Sequence, residues 1–217
     1  MTTVYLVRHA EAEGNINRLF QGRTDCNVTE NGRAQLRLLA ERFKGIPIEA
    51  IYSSPLIRTM ETAKAVNFYH NLEIIKVDGI MEINGGVFEQ KHWDELPKLF
   101  PDAYEVWTNR HHEFDIEDGE SMLNVYNRMR DTITEIVSEN KDRTIAIVSH
   151  GCAIRNFLCY ANNIPFENLD TIEWCDNTAV CKFEFDDNLV PTVIIQNDAS
   201  HLSEEFSTIA KQSWWKK

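Results

Sequence analysis

The sequence predicts an α/β fold, a three-layer α/β/α arrangement with a mostly parallel central sheet. Two patterns carry that expectation. Short continuous apolar runs of strand length alternate along the chain with longer stretches in which apolar residues recur every three or four positions. The runs stay apolar throughout, as strands do when helices cover both faces of their sheet. A third observation concerns where the runs stop: residues 4–7 end at Arg8-His9, and residues 144–149 end at His150-Gly151. In open α/β sheets ligands bind beyond the carboxyl ends of the strands, so both ends are candidates for one site.

The elements follow in order. Val4-Tyr5-Leu6-Val7 reads as the first strand. Leu36, Leu39, Ala40 and Phe43 stand at i, i+3, i+4 and i+7 and predict a helix from about Thr29, closed by Gly45 and Pro47. Residues 50–53 form a second strand, and Ser54-Pro55 supplies an N-cap and a first-turn proline for a helix to about Tyr69, with Arg58 in its first turns. Residues 72–77 are a third strand candidate, and 79–90 a loop centred on Gly85-Gly86. Residues 92–110, interrupted by Pro97 and Pro101, predict short helices covering something. Ser121 caps a long helix whose Val125, Met129, Ile133, Ile136 and Val137 share one face. After the strand at 144–149 comes another helix, then a hairpin of residues 178–185 and 192–196 around Asp186-Asp187-Asn188. No repeat, low-complexity segment or linker divides the chain, so residues 1–217 are expected to form a single domain.

Composition bounds the function. The 217 residues are 43% hydrophobic and 26% charged, with 22 Lys and Arg against 34 Asp and Glu, a net charge of -12. That excess repels a polyanion, which argues against nucleic acid as a partner but leaves room for a small anion in a local basic pocket. Cys26, Cys152, Cys159, Cys175 and Cys181 are odd in number and lack CxxC spacing; they read as free thiols in a reducing compartment. No basic region precedes an apolar run at the N-terminus and no uncharged apolar stretch approaches 18 residues, so neither export nor a membrane partner is expected. The expected location is cytoplasmic.

The chemistry begins at Arg8-His9, a nucleophilic or basic nitrogen beside a planar fork suited to phosphate or carboxylate. Arg8, His9, Glu11 and Asn15, followed by Phe20-Gln21-Gly22, resemble the signature of the histidine phosphatase superfamily, the phosphoglycerate-mutase-like proteins. The hallmark is Arg-His-Gly-Glu-[Ser/Thr] with an Asn four residues after the Glu; Ala10 and Ala12 depart from it. The resemblance recurs in order at Ser53-Ser54-Pro55-Leu56-Ile57-Arg58, at Glu82 and at Ser149-His150-Gly151, and more loosely at Asn177 and Ser200-His201-Leu202. It implies that His9 takes the phosphoryl group as a phosphohistidine and that Glu82 serves as proton donor and acceptor. It also implies that Arg8, Arg58, His150 and Asn15, with Gln21 and Gly22, bind the phosphate. Arg58 is expected to gain from a nearby helix N-terminus. Among many cations the Glu82 acid role needs burial, or the charge of the phosphate, to offset them.

His9, His150 and Glu82 are also a formal two-histidine, one-carboxylate metal set, although the adjacent arginines suit an anion rather than a cation. His111-His112 with Glu113 and Asp115 is a second such cluster, with a solvent-facing loop as its plainer reading. No phosphate-loop or dinucleotide motif is present, and no cofactor or metal is implied. Within the resembled family the choice lies between phosphatase and cofactor-primed mutase. Mutases carry Arg-His-Tyr-Gly after the catalytic Glu and then a long insertion; here Glu82 is followed by Ile83-Asn84-Gly85-Gly86, and only residues 83–149 separate it from His150. The expectation is a phosphatase acting on a small phosphorylated metabolite, with residues about 83–120 as a cover that meets the organic part through Trp93, Phe100, Tyr104 and Trp107. A mutase and a non-catalytic phosphate-binding relative are the alternatives, and a homodimer is carried only as the commonest assembly. The Trp214-Trp215-Lys216-Lys217 tail is too short for a membrane-surface helix and reads as a docked or frayed end.

Overall fold

A computed structural model of the chain describes residues 1–211; the tail containing Trp214-Trp215 lies outside the described residues. The elements in chain order are β1 (Thr2–Arg8), α1 (Glu13–Ile16), α2 (Glu30–Phe43), β2 (Ala50–Ser53), α3 (Ile57–Val66) and β3 (Ile74–Lys76). They continue with α4 (Leu96–Leu99), α5 (Pro101–Asn109), α6 (Met122–Glu139), β4 (Thr144–Ser149), α7 (Gly151–Ala161), β5 (Val180–Phe185), β6 (Pro191–Asp198) and α8 (Thr208–Lys211). The six strands form one sheet in the order β3-β2-β4-β1-β5-β6. The first four run parallel and β5 opposes β1 and β6, so the sheet is mostly parallel, as the sequence predicts.

The pleat sorts the apolar runs onto two faces. Val7, Ile51, Ala146 and Val148 turn toward α2 and α3, where Leu39, Phe43, Ala63 and Val66 complete one cluster. Val4, Leu6, Ile145 and Ile147 turn the other way, toward α6 and α7, and pack with Met129, Ile133, Phe157 and Leu158 in the larger cluster. Ser121 caps α6 as predicted, its hydroxyl accepting from the Asn124 amide at 3.2 Å. Thr29 caps α2 by accepting from the Gly32 amide.

One local expectation is corrected. Ser54 does not cap α3, which starts three residues later at Ile57 with Leu56 at the cap position. The Ile57 amide instead donates to Asp25 Oδ1 at 2.8 Å, a cap supplied from a distant loop, and this donor is therefore not offered to a ligand. The same helix stops at Val66, because the Asn67 side chain pairs with both the amide and the carbonyl of Leu72 and closes a turn. The third strand shrinks to Ile74–Lys76 at the sheet edge, and the hairpin lengthens to Pro191–Asp198 on its second strand. Two short helices, α4 and α5, do form between residues 92 and 110, with Pro101 in the first turn of α5. Among the described residues no helix is long and apolar enough to cross a membrane.

The face contacts rank two substitutions. Ile133 is fully buried, so Ile133→Ala should lower the unfolding free energy by about 2–5 kcal/mol, whereas Ser121→Ala, which removes one cap, should cost about 1 kcal/mol. Urea titrations of the two variants check the order; a cap loss as costly as the core deletion would mean that α6 is not held mainly by its apolar face.

Candidate active site

The parallel pairing of β1 with β4 sets Arg8 opposite Ser149, and the His9 amide donates to the Ser149 carbonyl at 3.0 Å. The residues just beyond the two strands are therefore neighbours, and the His9 and His150 rings lie 5.3 Å apart between centroids. Arg58 reaches the same point from α3, and Glu82 from the loop between β3 and α4. Arg8, His9, Arg58, Glu82 and His150 are all buried.

Each group is held in a particular state. His9 Nδ1 lies 2.7 Å from the Ala10 carbonyl, which can only accept, so Nδ1 carries the proton and Nε2 presents a lone pair. Burial, then Arg58 and Arg8, hold the His9 imidazole well below the ordinary histidine range, which keeps it neutral. Burial and the same arginines do likewise for His150. His150 Nε2 lies 2.8 Å from the Ser54 hydroxyl, which is the actual work of the serine that does not cap α3.

The arginines are fixed by backbone carbonyls: Arg8 Nη1 donates to Cys175, and Arg58 donates to Thr24 at 2.9 Å and Gly22 at 2.7 Å. That leaves Arg8 Nε, Arg58 Nε and His150 Nδ1 buried without a hydrogen-bond partner. Buried orphan polar groups are rare, and two guanidinium N–H donors beside an unpartnered imidazole nitrogen make a site suited to an anion. Gly151 belongs to the arrangement through what it lacks, since a Cβ there would stand 3.3 Å from Arg8 Nε.

The Glu82 carboxylate accepts from the amides of Ile83 at 2.9 Å and of Cys152 and Ala153 at 3.1 Å each, the latter two in the first turn of α7. Burial nevertheless pushes its carboxyl above the usual range, against those amides and against Arg58 and Arg128. Burial is thus the offset that an acid role requires. Asn15 lines the adjoining cavity of about 840 Å³, with its Oδ1 accepting from the Ala12 amide at 3.0 Å. Gln21 lines it too, and turning its amide so that the oxygen faces the backbone amides of Gly14 and Asn15 gives it two acceptor contacts of 2.6 Å. Gly22 is brought to the site through its carbonyl, which anchors Arg58. Ala10 and Ala12, the two departures from the motif, are fully buried.

Sequence reasoning missed several supporting residues. Arg128 on α6 donates to the carbonyls of Gly79, Met81 and Glu82 and pairs with Glu120 at 2.6 Å, fixing the Glu82 loop. Glu89 accepts from the amides of Gly22, Arg23, Thr24 and Gly85 and so shapes the loop that grips Arg58. Glu11, inside the motif, turns away to Thr29, Asn31 and Thr208. Gly86 has φ of +49°, the left-handed backbone expected of the glycine pair. In the cover, Trp93, Tyr104 and Trp107 line the cavity, whereas Phe100 packs on Phe88 at 5.5 Å. Among the described residues no group of three His, Cys, Asp or Glu side chains is placed to hold a metal ion, and this includes His111-His112. All five cysteines are free.

The held-neutral histidines fix a pH dependence. His9 and His150 are depressed, and burial lowers His111 and His201 to about 4. A histidine that titrates lower when folded gives its full stability above its unfolded pKa of about 6.5 and loses it as pH falls toward the folded value. Glu82, raised when folded, works in the opposite sense, so one group opposes four. The urea midpoint should therefore decline steadily from pH 7 to pH 5; a flat profile would show that these histidines are not held neutral.

Comparison with known proteins agrees with this geometry. Residues 4–198 match the family model of the histidine phosphatase superfamily (branch 1). Phosphoserine phosphatase 1 of Hydrogenobacter thermophilus is 32% identical over 205 residues, 94% of this chain and 96% of that protein. A probable phosphoglycerate mutase GpmB of an Enterobacter species is 34% identical over 158 residues, 71% of this chain and 72% of the relative. Among solved structures, a mutant phosphoserine phosphatase from Entamoeba histolytica in complex with phosphoserine superposes with a TM-score of 0.83 at 26% identity, covering 94% of this chain and all of that one. A second structure of a phosphoserine phosphatase from the same organism, in complex with 3-phosphoglyceric acid, gives 0.81 at 27% identity, covering 94% of this chain and 100% of the other. The chain belongs to the histidine phosphatase superfamily.

Proposed function

We propose that this protein is a phosphomonoesterase that hydrolyses small phosphate esters through a phosphohistidine on His9. The observation that carries the reading is the pairing of a neutral His9, with its Nε2 lone pair available, with two buried guanidinium donors and a His150 ring nitrogen that lack partners inside the protein. In the first step the His9 Nε2 lone pair forms a bond to phosphorus as the P–O bond to the alcohol breaks, and the Glu82 carboxyl gives its proton to the departing oxygen. In the second, water attacks phosphorus, its proton passes to the Glu82 carboxylate, and the P–N bond breaks to release inorganic phosphate. Arg8, Arg58 and His150, with the amide group of Asn15, neutralise charge on the phosphoryl oxygens throughout. Gln21 and Gly22 act by position, the first on the Asn15 loop and the second on Arg58.

The relatives named phosphoserine phosphatase support a small alcohol carrying its own charge, and the phosphoserine and 3-phosphoglyceric acid seen in the neighbouring structures are the natural first probes. The mutase reading has weaker support, because the segment after Glu82 lacks the Arg-His-Tyr-Gly run. We take the chain as a single domain in which residues about 83–120 form the cover. The natural partner is a small phosphorylated metabolite, and the free thiols suit a cytoplasmic setting. A homodimer is the assembly expected on frequency alone.

The test is release of inorganic phosphate from a panel of esters in the presence of a chelator. Hydrolysis should persist in chelator, since the charge-neutralising groups are all side chains of the protein, and His9→Ala should reduce it below detection. Transfer of phosphate between phosphoglycerates without release would establish the mutase instead. Glu82→Gln should slow alkyl esters by about 10²–10⁴ and p-nitrophenyl phosphate, whose leaving group needs no proton, by less than about tenfold. Equal slowing of both would remove Glu82 from the proton-donor role.

A further inference from the structure

Beyond the phosphate end, the cavity holds groups that phosphoryl transfer does not use. Arg155 lies one turn of α7 past Gly151, roughly 6 Å along the helix axis, and lines the same cavity. Its guanidinium lies over the Trp174 ring at 4.7 Å, with Nε donating to the Ile172 carbonyl at 2.6 Å and Nη2 to the Asp170 carbonyl at 3.2 Å. His111, which also lines the cavity, sits between Trp107 and Trp174, with ring centroids at 4.9 and 6.0 Å.

The protonation of His111 follows from its partners. Nδ1 lies 2.7 Å from Asp170 Oδ1, an acceptor only, and 3.4 Å from Arg155 Nη1, so the shorter bond places the proton on Nδ1. Burial, then Arg155, lower the imidazole to about 4, which keeps it neutral at physiological pH. Nε2 is therefore a lone pair, and it is buried without a hydrogen-bond partner on a side chain only 7% exposed. A buried acceptor left unpaired costs stability, and a donor on a molecule bound in the cavity that His111 lines would satisfy it.

We propose that His111 Nε2 is the acceptor of a leaving-group subsite that selects phosphate monoesters whose alcohol carries a hydroxyl or ammonium donor. Arg155 lies one helical turn from the phosphate end and is itself paired with Asp170 Oδ1 at 3.7 Å. Asp170 is a positioning residue that fixes the His111 tautomer. The inference rests on the phosphomonoesterase reading and goes beyond it by naming what is read on the alcohol and by which atom.

Three esters isolate the contact: phosphoserine, 3-phosphoglycerate and 3-(phosphonooxy)propanoate share the carboxylate and differ only at C2, which bears an ammonium, a hydroxyl or neither. The unaltered protein should favour one or both donor-bearing esters over the third by about 10- to 100-fold in kcat/KM, and the order of the first two separates ammonium from hydroxyl. His111→Phe, which keeps an aromatic ring between Trp107 and Trp174, should bring that ratio down at least tenfold toward unity. Hydrolysis of all three esters at similar kcat/KM by the unaltered protein would overturn the subsite without any variant being made. A ratio unchanged in a folded His111→Phe protein would overturn the assignment to His111. Absence of phosphate release from every ester, p-nitrophenyl phosphate included, would instead be failure of the phosphomonoesterase reading.

Discussion

The parallel pairing of β1 with β4 is the constraint on which the site depends. Two strands far apart in the chain lie in register from Thr3 opposite Thr144 to Arg8 opposite Ser149, and the ladder ends in the bond from the His9 amide to the Ser149 carbonyl. A slip of one residue would invert the pleat and exchange Val4 and Leu6 with Val7 between the two apolar clusters. It would also turn His9 away from His150. The core and the catalytic geometry are therefore specified by the same alternation of side chains.

Desolvation then does two opposite things with one physical cause. It opposes charge on His9 and His150, which a nucleophile and a donor to phosphate can use, and it opposes charge on Glu82, which a proton donor needs. The arginines resist the same pressure because guanidinium stays charged, and backbone carbonyls from Cys175, Thr24 and Gly22 replace much of the lost water. On the proposed reading, the donors left over are those that meet the phosphoryl charge. Such preorganisation in a dry site is worth more than the same contacts in water.

Much of this was legible in the sequence. The bounds of β2 and β4 and the start of α6 follow from apolar runs and from a Ser cap that acts locally, and Arg8, His9, Arg58 and His150 stand in compact motifs, with Glu82 placed by the resemblance alone. What failed to show depends on contacts across the fold. Ser54 before Pro55 has the look of a helix start, yet Asp25 from another loop caps α3 and frees Ser54 for His150. Arg128 and Glu89 work through backbone carbonyls and amides, whose positions no side-chain pattern records. Arg155 and His111, far apart in sequence, become a pair only when α7 meets the turn after α5.

The two ends of the cavity are built on different principles, and this bears on how specificity can change. At the phosphate end Arg58 is gripped by backbone carbonyls and Glu82 by backbone amides, while the side chains of Glu89 and Arg128 hold the loops that supply or carry them. At the other end His111, Asp170, Trp107 and Trp174 meet one another largely through side chains. On the proposed reading, the groups that handle phosphate and the groups that meet the alcohol are held by separate sets of contacts, which lets a single cavity combine a common chemistry with a particular recognition.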